Sequence, residues 1–379
     1  MTQSPSNSRP QRQIALVVGA HGVIGSQLIA HLLSLPQWEV IGLSRRGGEH
    51  RKQERLRHVS VDLLDASDAR RQLAPLEQVT HVFYAAYQHR PSWSELVAPN
   101  LAMLQNTVQT VEVHAPGLRH ISLMQGYKVY GGHLGPFKTP ARESDAQFMP
   151  PEFMFDQQRW LEQRRVDSGR GWSWSAPRPA VVGGAALGNP MNLALAIALY
   201  ACMSKALGLP LRFPGKPGAY DKLVEMTDAR LLAKGTVWAA TTEAAANQAF
   251  NIGNGDLFRW SEMWPKIARY FGMEVGTPLP LKLAEVMADK APLWERIVTA
   301  HGLKQHPYAS LSAWEFADFV FSWDYDMFGD GSKARRLGFH EYVETEAMFM
   351  AIFDDFRQPQ RDSLRQRRCG IADIKKELT

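Results

Sequence analysis

Short apolar runs alternate with helical stretches through the first half of this chain. The runs are IALVV at 14–18, EVIGL at 39–43, RHVSV at 57–61, THVFY at 80–84 and LRHISL at 118–123. Parallel neighbouring strands need a long connection, which a helix usually supplies. The alternation therefore predicts the α/β class: a doubly wound parallel sheet with helices on both faces and a ligand crevice at the carboxyl ends of the strands.

A glycine triplet directly follows the first apolar run. Gly19, Gly22 and Gly25 have the spacing GxxGxxG and open an amphipathic helix. Glycine lets the backbone turn tightly and approach a pyrophosphate, and the helix amino terminus offers N–H groups and the positive end of the dipole. A simple strand-to-helix turn is the alternative, but the βαβ context favours a Rossmann-type dinucleotide site.

The end of the second run indicates which dinucleotide. An NAD enzyme usually carries an acid there for the ribose hydroxyls, whereas this chain has Ser44, Arg45 and Arg46. Two guanidiniums bind a 2′-phosphate with charge assistance, so we predict NADP(H); the alternative is a solvated basic turn. Asp62, after the third run, is expected either to reach the adenine edge or to cap the next helix.

The formal charge of +5 is concentrated at the two ends of the chain. The first 13 residues contain two arginines and no acid, and residues 357–379 contain seven Arg or Lys against three acids. Charge confined to polar ends, without a recognised motif, argues against a nucleic-acid partner. The apolar runs are too short for a membrane helix and the two cysteines lack metal-ligand spacing, so we expect a cytoplasmic protein without a membrane or metal partner.

Beyond about residue 180 the alternation loosens into helical patterns, with a late strand at QAFNI, 248–252. This change predicts a smaller, mostly helical C-terminal substrate lobe. The predicted organisation is a disordered leader at 1–13, an NADP-binding Rossmann domain at 14–180, a substrate lobe interleaved with late sheet strands at 181–356, and a basic polar tail at 357–379.

Eight stretches resemble the progesterone 5β-reductase and iridoid synthase-like enone reductases of the extended short-chain dehydrogenases. They are GAHGVIG at 19–25, SRR at 44–46, THVFYAAY at 80–87, NLAMLQNTV at 100–108, GYKVYGGHLGPF at 126–137, WSWSAPRPAVVGG at 172–184, MNLALAIALYA at 191–201 and AFNIGNGDLFRWSEMW at 249–264. The likeness covers most of residues 14–356. It implies a homodimer that binds NADPH and delivers hydride to the β-carbon of an activated alkene, with a lysine and a tyrosine beside the developing enolate oxygen.

The lysine of this family corresponds to Lys128, inside the turn that precedes Val129. Its role, on the resemblance, is to stabilise the enolate, to hold the cofactor ribose, or both. The two positions that could hold the tyrosine are Met154 and Phe155. Neither side chain donates a proton or a hydrogen bond.

Other residues near this turn have two interpretations each. Tyr127, Tyr130 or Tyr220 could replace the missing phenol or could pack in the interior, and His133 could act as an acid or base or be a surface residue. Several apolar side chains would suit a small hydrophobic carbonyl substrate or, equally, a core. They are Phe153, Met154, Phe155, Trp160, Met191, Leu193, Trp314 and Phe316.

We therefore expect an NADP(H)-dependent oxidoreductase that reduces an enone, enal or other carbonyl compound. The alternative is a catalytically weak NADP(H)-binding protein that reports redox state to a partner, which the missing tyrosine favours. A nucleotide-sugar epimerase or dehydratase is a third hypothesis, although that chemistry normally needs the tyrosine and a polar pocket.

Overall fold

In a computed structural model of the chain, the structure describes residues 12–47, 54–146, 149–186, 191–312 and 314–357. The predicted leader and basic tail lie outside the described residues, apart from Arg12, Gln13 and Arg357. Gln13 is the first residue of a strand, and Arg12 forms an ion pair with Glu39.

Thirteen strands and twelve helices occupy the described residues. The strands are β1 (Gln13–Val18), β2 (Trp38–Ser44), β3 (Leu56–Ser60), β4 (His81–Tyr84), β5 (His120–Leu123), β6 (Ser173–Pro179), β7 (Val181–Gly183), β8 (Leu211–Arg212), β9 (Leu223–Val224), β10 (Met226–Asp228), β11 (Gln248–Ile252), β12 (Phe258–Arg259) and β13 (Val275–Gly276). The helices are α1 (Val23–Ser34), α2 (Ala66–Leu73), α3 (Trp93–His114), α4 (Phe153–Ser168), α5 (Leu193–Ala206), α6 (Ala229–Thr241), α7 (Trp260–Phe271), α8 (Leu283–Val286), α9 (Ala291–Ala300), α10 (Trp314–Phe321), α11 (Ser332–Arg336) and α12 (Thr345–Arg357).

Seven strands form the main sheet, in the order β11-β6-β5-β4-β1-β2-β3. Strands β1 to β6 pair in parallel with their neighbours. The chain moves outward from β1 to β3 and then returns to β4 on the other side of β1. That reversal creates the switch point at which open α/β sheets bind ligands. The predicted α/β Rossmann-type class is confirmed, and each of the five early apolar runs is a strand.

Alternate residues of β1 face opposite sides of the sheet, as the two-residue period of a strand requires. Leu16 and Val18 pack in one core cluster with residues of α2, α3 and α4. Ala15 and Val17 pack in another with residues of α1 and α6. The sheet is therefore covered on both faces, which explains why its strands are continuously apolar rather than alternating.

The chain divides into two compact units, neither of which is one continuous segment. The first unit contains the residues up to 125 together with 147–177 and 233–250, and the second contains 126–146, 178–232 and the residues from 251 onwards. In the second unit, helix α5 is buried from Leu193 to Ser204. Aromatic rings form much of the rest of its core, among them Phe213, Trp260 and Phe321.

Within the described residues, no helix has the length and apolar character needed to span a bilayer. In the same residues, no three or more His, Cys, Asp or Glu side chains are grouped so as to hold a metal ion. Burial raises the pKa of the Cys202 thiol to about 12, so this thiol stays protonated near neutral pH.

Candidate functional site

The glycine triplet forms a tight crossing at the carboxyl end of β1. Gly19 has φ +90°, and a Cβ atom there would lie 2.8 Å from the carbonyl oxygen of Ala85. A Cβ atom on Gly25, in the first turn of α1, would lie 2.2 Å from the carbonyl oxygen of Gly19. Any larger residue would push apart the loop, helix α1 and the segment after β4. Glycine is therefore required at both positions by the close packing of the backbone, and pyrophosphate binding by this loop stays a prediction.

Gly22 occupies the N-cap position of α1, directly before its first residue. Its N–H donates to the carbonyl oxygen of Gly19 at 3.0 Å, and no side chain among the described residues caps the helix. The first N–H groups of an uncapped helix need an outside acceptor, and the helix dipole favours an anion there. This cradle suits a phosphate.

The turn after β2 is fixed by contacts to its main chain. The Ser44 hydroxyl donates to the carbonyl oxygen of Gly47 at 3.0 Å, and a ring nitrogen of His21 contacts the same oxygen. The Ser60 hydroxyl donates to the carbonyl oxygen of Arg45 at 2.9 Å. Both Arg45 and Arg46 are exposed, and neither guanidinium pairs with a carboxylate among the described residues.

A pocket of about 60 Å³ in the first unit brings four of the predicted cofactor residues together: Gly19, Ser44, Arg45 and Asp62. Tyr87, Gln88 and Met103 also line this pocket. Gly22, Gly25 and Arg46 are not among its lining residues, although they belong to the adjoining loop and turn.

The structure bears on one of the two expected roles of Asp62, that of capping helix α2. Helix α2 is capped by Asp65, whose side chain accepts from the N–H groups of Ser67 and Asp68. The Asp62 carboxylate instead accepts from the N–H of Leu64 at 3.0 Å and lines the pocket. Asp62 is therefore not the cap of α2, and its role at the adenine edge stays a prediction.

Asn100 is a site residue that the sequence reasoning missed. This fully buried side chain of α3 accepts from the Gln88 N–H at 2.8 Å and donates to the Gln88 carbonyl at 2.9 Å. It thereby fixes the segment after β4 that lines the pocket. An asparagine inside an apolar helical stretch was the available signal, since a buried amide must be satisfied.

Helix α4 carries the two positions where the family tyrosine would stand. Glu152 caps the helix by accepting from the Phe155 N–H at 2.9 Å. The buried residues of α4 are spaced four apart: Phe153, Gln157 and Leu161. Met154 and Phe155 are half-buried beside this face.

Met154 is contacted at its main chain, whereas Phe155 is contacted at its ring. The side chain of Gln125, just after β5, donates to the main-chain carbonyl of Met154 at 2.8 Å. The guanidinium of Arg159 lies 5.7 Å from the centre of the Phe155 ring. Position 154 is thus located through its backbone, whereas the ring at 155 is already engaged by a cation.

Lys128 lies in the second unit, in a 3₁₀ turn spanning Tyr127–Tyr130 that ends at Gly131 with φ +78°. The lysine is half-buried. Burial and, after it, the positive charge of Lys128 lower the pKa of His133 to about 4. This lowered pKa favours the neutral imidazole at pH 7.

The hydroxyl groups of Tyr127 and Tyr130, on either side of Lys128, form hydrogen bonds in the interior. The Tyr127 hydroxyl donates to the carboxylate of Glu225 at 2.6 Å, and the Tyr130 hydroxyl donates to the side-chain carbonyl of Asn251 at 2.6 Å. Burial raises the pKa of Tyr130 to about 12 and that of Tyr127 well above its usual value, the latter with the help of Glu225. These observations favour packing over a role as the replacement phenol.

The remaining candidates also pack. The ring of Tyr220 lies 5.0 Å from that of Phe213. Leu193 and Trp314 are buried in α5 and α10, while Trp160 and Phe316 are half-buried and Met191 is 39% exposed. The α4 residues of the predicted substrate pocket belong to the first unit, and Met191, Leu193, Trp314 and Phe316 belong to the second.

Solved structures with a similar fold include epimerases. The chain is similar to the UDP-glucose 4-epimerase of Thermus thermophilus solved in complex with NAD, with a TM-score of 0.61 and 18% identity over 90% of this chain and 98% of that one. An epimerase from Methanothermobacter thermautotrophicus gives a TM-score of 0.65 at 15% identity, covering 91% of this chain and 93% of that one. At these identities the likeness shows the fold alone.

Similarity in sequence identifies the family, which similarity in fold does not. A family model described as a PRISE-like Rossmann-fold domain matches residues 15–360. The chain is 32% identical over 356 residues to an (S)-8-oxocitronellyl enol synthase of Nepeta racemosa, covering 89% of this chain and 88% of the relative. It is 31% identical over 369 residues to a 3-oxo-Delta(4,5)-steroid 5-beta-reductase of Arabidopsis thaliana, covering 92% and 93%. The predicted resemblance is confirmed: the chain belongs to the PRISE-like family and is an oxidoreductase of the short-chain dehydrogenase type.

Proposed function

We propose that this protein is an NADPH-dependent reductase of a small hydrophobic α,β-unsaturated carbonyl compound. The observation that carries the cofactor assignment is the pair Arg45 and Arg46. Both residues are exposed on a turn whose main-chain carbonyls accept hydrogen bonds from Ser44 and Ser60, where an NAD enzyme would place an acid. The family relatives, a steroid 5-beta-reductase among them, support the reaction class.

Residues of the first unit account for three parts of the cofactor: the pyrophosphate, the 2′-phosphate and the adenine. The loop at Gly19 and Gly25 has no room for side chains, and the uncapped amino terminus of α1 that follows it would bind the pyrophosphate. Arg45 and Arg46 would bind the 2′-phosphate with charge assistance, and Asp62, which lines the same pocket as Arg45, would contact the adenine. NADPH, when bound, supplies the hydride.

Lys128 supplies positive charge to the developing enolate oxygen of the substrate, and a second role at the cofactor ribose is compatible with it. Met154 and Phe155 have no proton to give, so the enolate takes its proton from water. A well-placed oxyanion donor is typically worth about 3–4 kcal/mol, or roughly a hundred- to a thousandfold in rate. We therefore expect slow but measurable turnover.

The experiment is NADPH oxidation by the purified protein against a panel of enones, enals and ketones, with the variants Met154→Tyr and Phe155→Tyr. Because Gln125 holds the main chain at position 154, the new side chain should not displace α4. At least one variant should reduce enones faster than the parent, by up to about a hundredfold. Val166→Tyr adds a phenol at an exposed position further along the same helix and is the matched control.

The redox-reporting alternative makes the opposite forecast. If the parent and both α4 variants are inert toward every compound while NADPH still binds tightly, the reductase proposal is wrong and the alternative is favoured. An equal gain in Val166→Tyr would show that the position of the phenol does not matter and would remove α4 from the site.

A further inference from the structure

Two buried polar side chains meet behind the turn that carries Lys128. Glu225 and Tyr127 are only 6% and 7% exposed, and the tyrosine hydroxyl donates to the glutamate carboxylate at 2.6 Å. The N–H of Gly329 donates to the same carboxylate oxygen at 3.0 Å. A buried carboxylate is costly unless such donors satisfy it, and burial here raises the pKa of Glu225 to about 7.

Glycines at two distant points of the chain make room for this pair. A Cβ atom on Gly253 would lie 1.8 Å from the second carboxylate oxygen of Glu225. A Cβ atom on Gly329 would lie 2.4 Å from the Tyr127 hydroxyl. Neither position tolerates a side chain without moving the pair, so the backbone on both sides is shaped around it.

Tyr130, at the other end of the turn, is held by two hydrogen bonds of its own. The Tyr130 hydroxyl donates to Asn251 at 2.6 Å and accepts from the Arg178 guanidinium at 3.1 Å. In a 3₁₀ turn, side chains three residues apart lie on the same side. Tyr127 and Tyr130 therefore face the interior together, and Lys128 points away from that side.

We infer that Glu225 is a positioning residue, which holds the turn through Tyr127 and thereby sets the location of the Lys128 ammonium. The inference rests on the proposed function for what Lys128 does there. Glu225 touches neither cofactor nor substrate in this account, and its effect on the reaction passes through Tyr127.

The test is a double-mutant cycle with Lys128. Tyr127→Phe removes only the hydroxyl, and Glu225→Asp withdraws the carboxyl group by one methylene. Each should lower turnover by about tenfold or more in the parent and should cause no further loss in a Lys128→Met background. Glu225→Gln, which still accepts from Tyr127, should keep most of the activity.

Tyr270→Phe is the matched control, because Tyr270 also donates to a carboxylate at 2.6 Å, that of Asp354, and belongs to the same unit. It should leave turnover unchanged. Equal losses from Tyr127→Phe in the parent and in Lys128→Met would show a merely structural role and overturn the inference.

A second readout does not depend on turnover. The rate at which acetic anhydride acylates Lys128, followed by mass spectrometry, should change several-fold in Tyr127→Phe and stay unchanged in Tyr270→Phe. An unchanged rate in Tyr127→Phe overturns the inference whatever the turnover. A changed rate in a parent that reduces no enone supports the inference and leaves the proposed function as the part that failed.

Discussion

Lowering the pH from 7 to 5 should destabilise the first unit through two histidines inside its sheet. His81 in β4 and His120 in β5 are register partners with ring centres 6.5 Å apart. They are 4% and 2% exposed, and both ring nitrogens of His120 contact serine hydroxyls at 2.8 Å, those of Ser173 and Ser175. Burial lowers the pKa of His81 to about 4 and that of His120 to about 3.

The direction of the effect follows from these pKa values. Both lie below the ordinary value of 6.5, so the folded chain binds fewer protons than the unfolded chain, and stability is lost as the pH falls through 6.5. At pH 5 the unfolded histidine is largely protonated and the folded one is not, which costs about 2 kcal/mol for each histidine relative to pH 7. The two together cost at most about 4 kcal/mol, since they interact.

Glu225 in the second unit works in the opposite direction, because its raised pKa makes protonation between pH 7 and pH 5 stabilising. The measurement is therefore a comparison between variants. Urea unfolding of the parent and of His120→Asn at pH 7, 6 and 5 should show a variant that is less stable at pH 7 but loses about 2 kcal/mol less on going to pH 5. Replacing the exposed His340 by Asn is the control. Equal losses in the parent and His120→Asn would refute the reasoning.

Three further predictions concern the cofactor site. Replacing Arg45 and Arg46 by Ala should reduce the preference for NADPH over NADH at least tenfold, since each charge-assisted contact is worth about 1.5–3 kcal/mol. Calorimetry measures both affinities. Equal affinities of the parent for the two cofactors would contradict the assignment. Gly25→Ala should cost about 1–3 kcal/mol in thermal unfolding and abolish cofactor binding, because its Cβ would meet the Gly19 carbonyl; intact binding would remove this loop from the site. Asn100→Ala should destabilise the fold by about 1–3 kcal/mol in urea unfolding, because it strips the Gln88 backbone of its partners; a smaller loss would mean that water replaces the amide.

Local features of this fold could be predicted from the sequence. Each early strand is an apolar run bounded by turn residues, and the run 248–252 has the same bounds as β11. The glycine loop could be predicted because the reasons for its glycines are local. Gly19 has a left-handed φ, and the carbonyl oxygen of Gly19 lies too close to Gly25 for a side chain there. The roles of the predicted site residues in binding and catalysis stay predictions.

Features that depend on distant side chains could not be predicted in the same way. Asp62 and Asp65 follow the same strand, and only the start of α2 at Ala66 decides which one caps the helix. The partner of Tyr127 lies 98 residues away and that of Tyr130 lies 121 residues away. Hydrogen bonds over such separations leave no spacing pattern in one sequence, so a tyrosine beside a glycine turn could not be assigned to the interior or to the substrate.

The contact between Gln125 and the carbonyl of residue 154 has an evolutionary consequence. A helix fastened through its main chain keeps its place whatever side chain stands at the fastened residue. A tyrosine at position 154 can therefore be gained or lost by a point substitution without a compensating change elsewhere. A side chain at Gly19 or Gly25 would instead collide with a backbone carbonyl oxygen. The structure thus tolerates exchange of the side chain at position 154 far better than exchange of the glycines in the loop after β1.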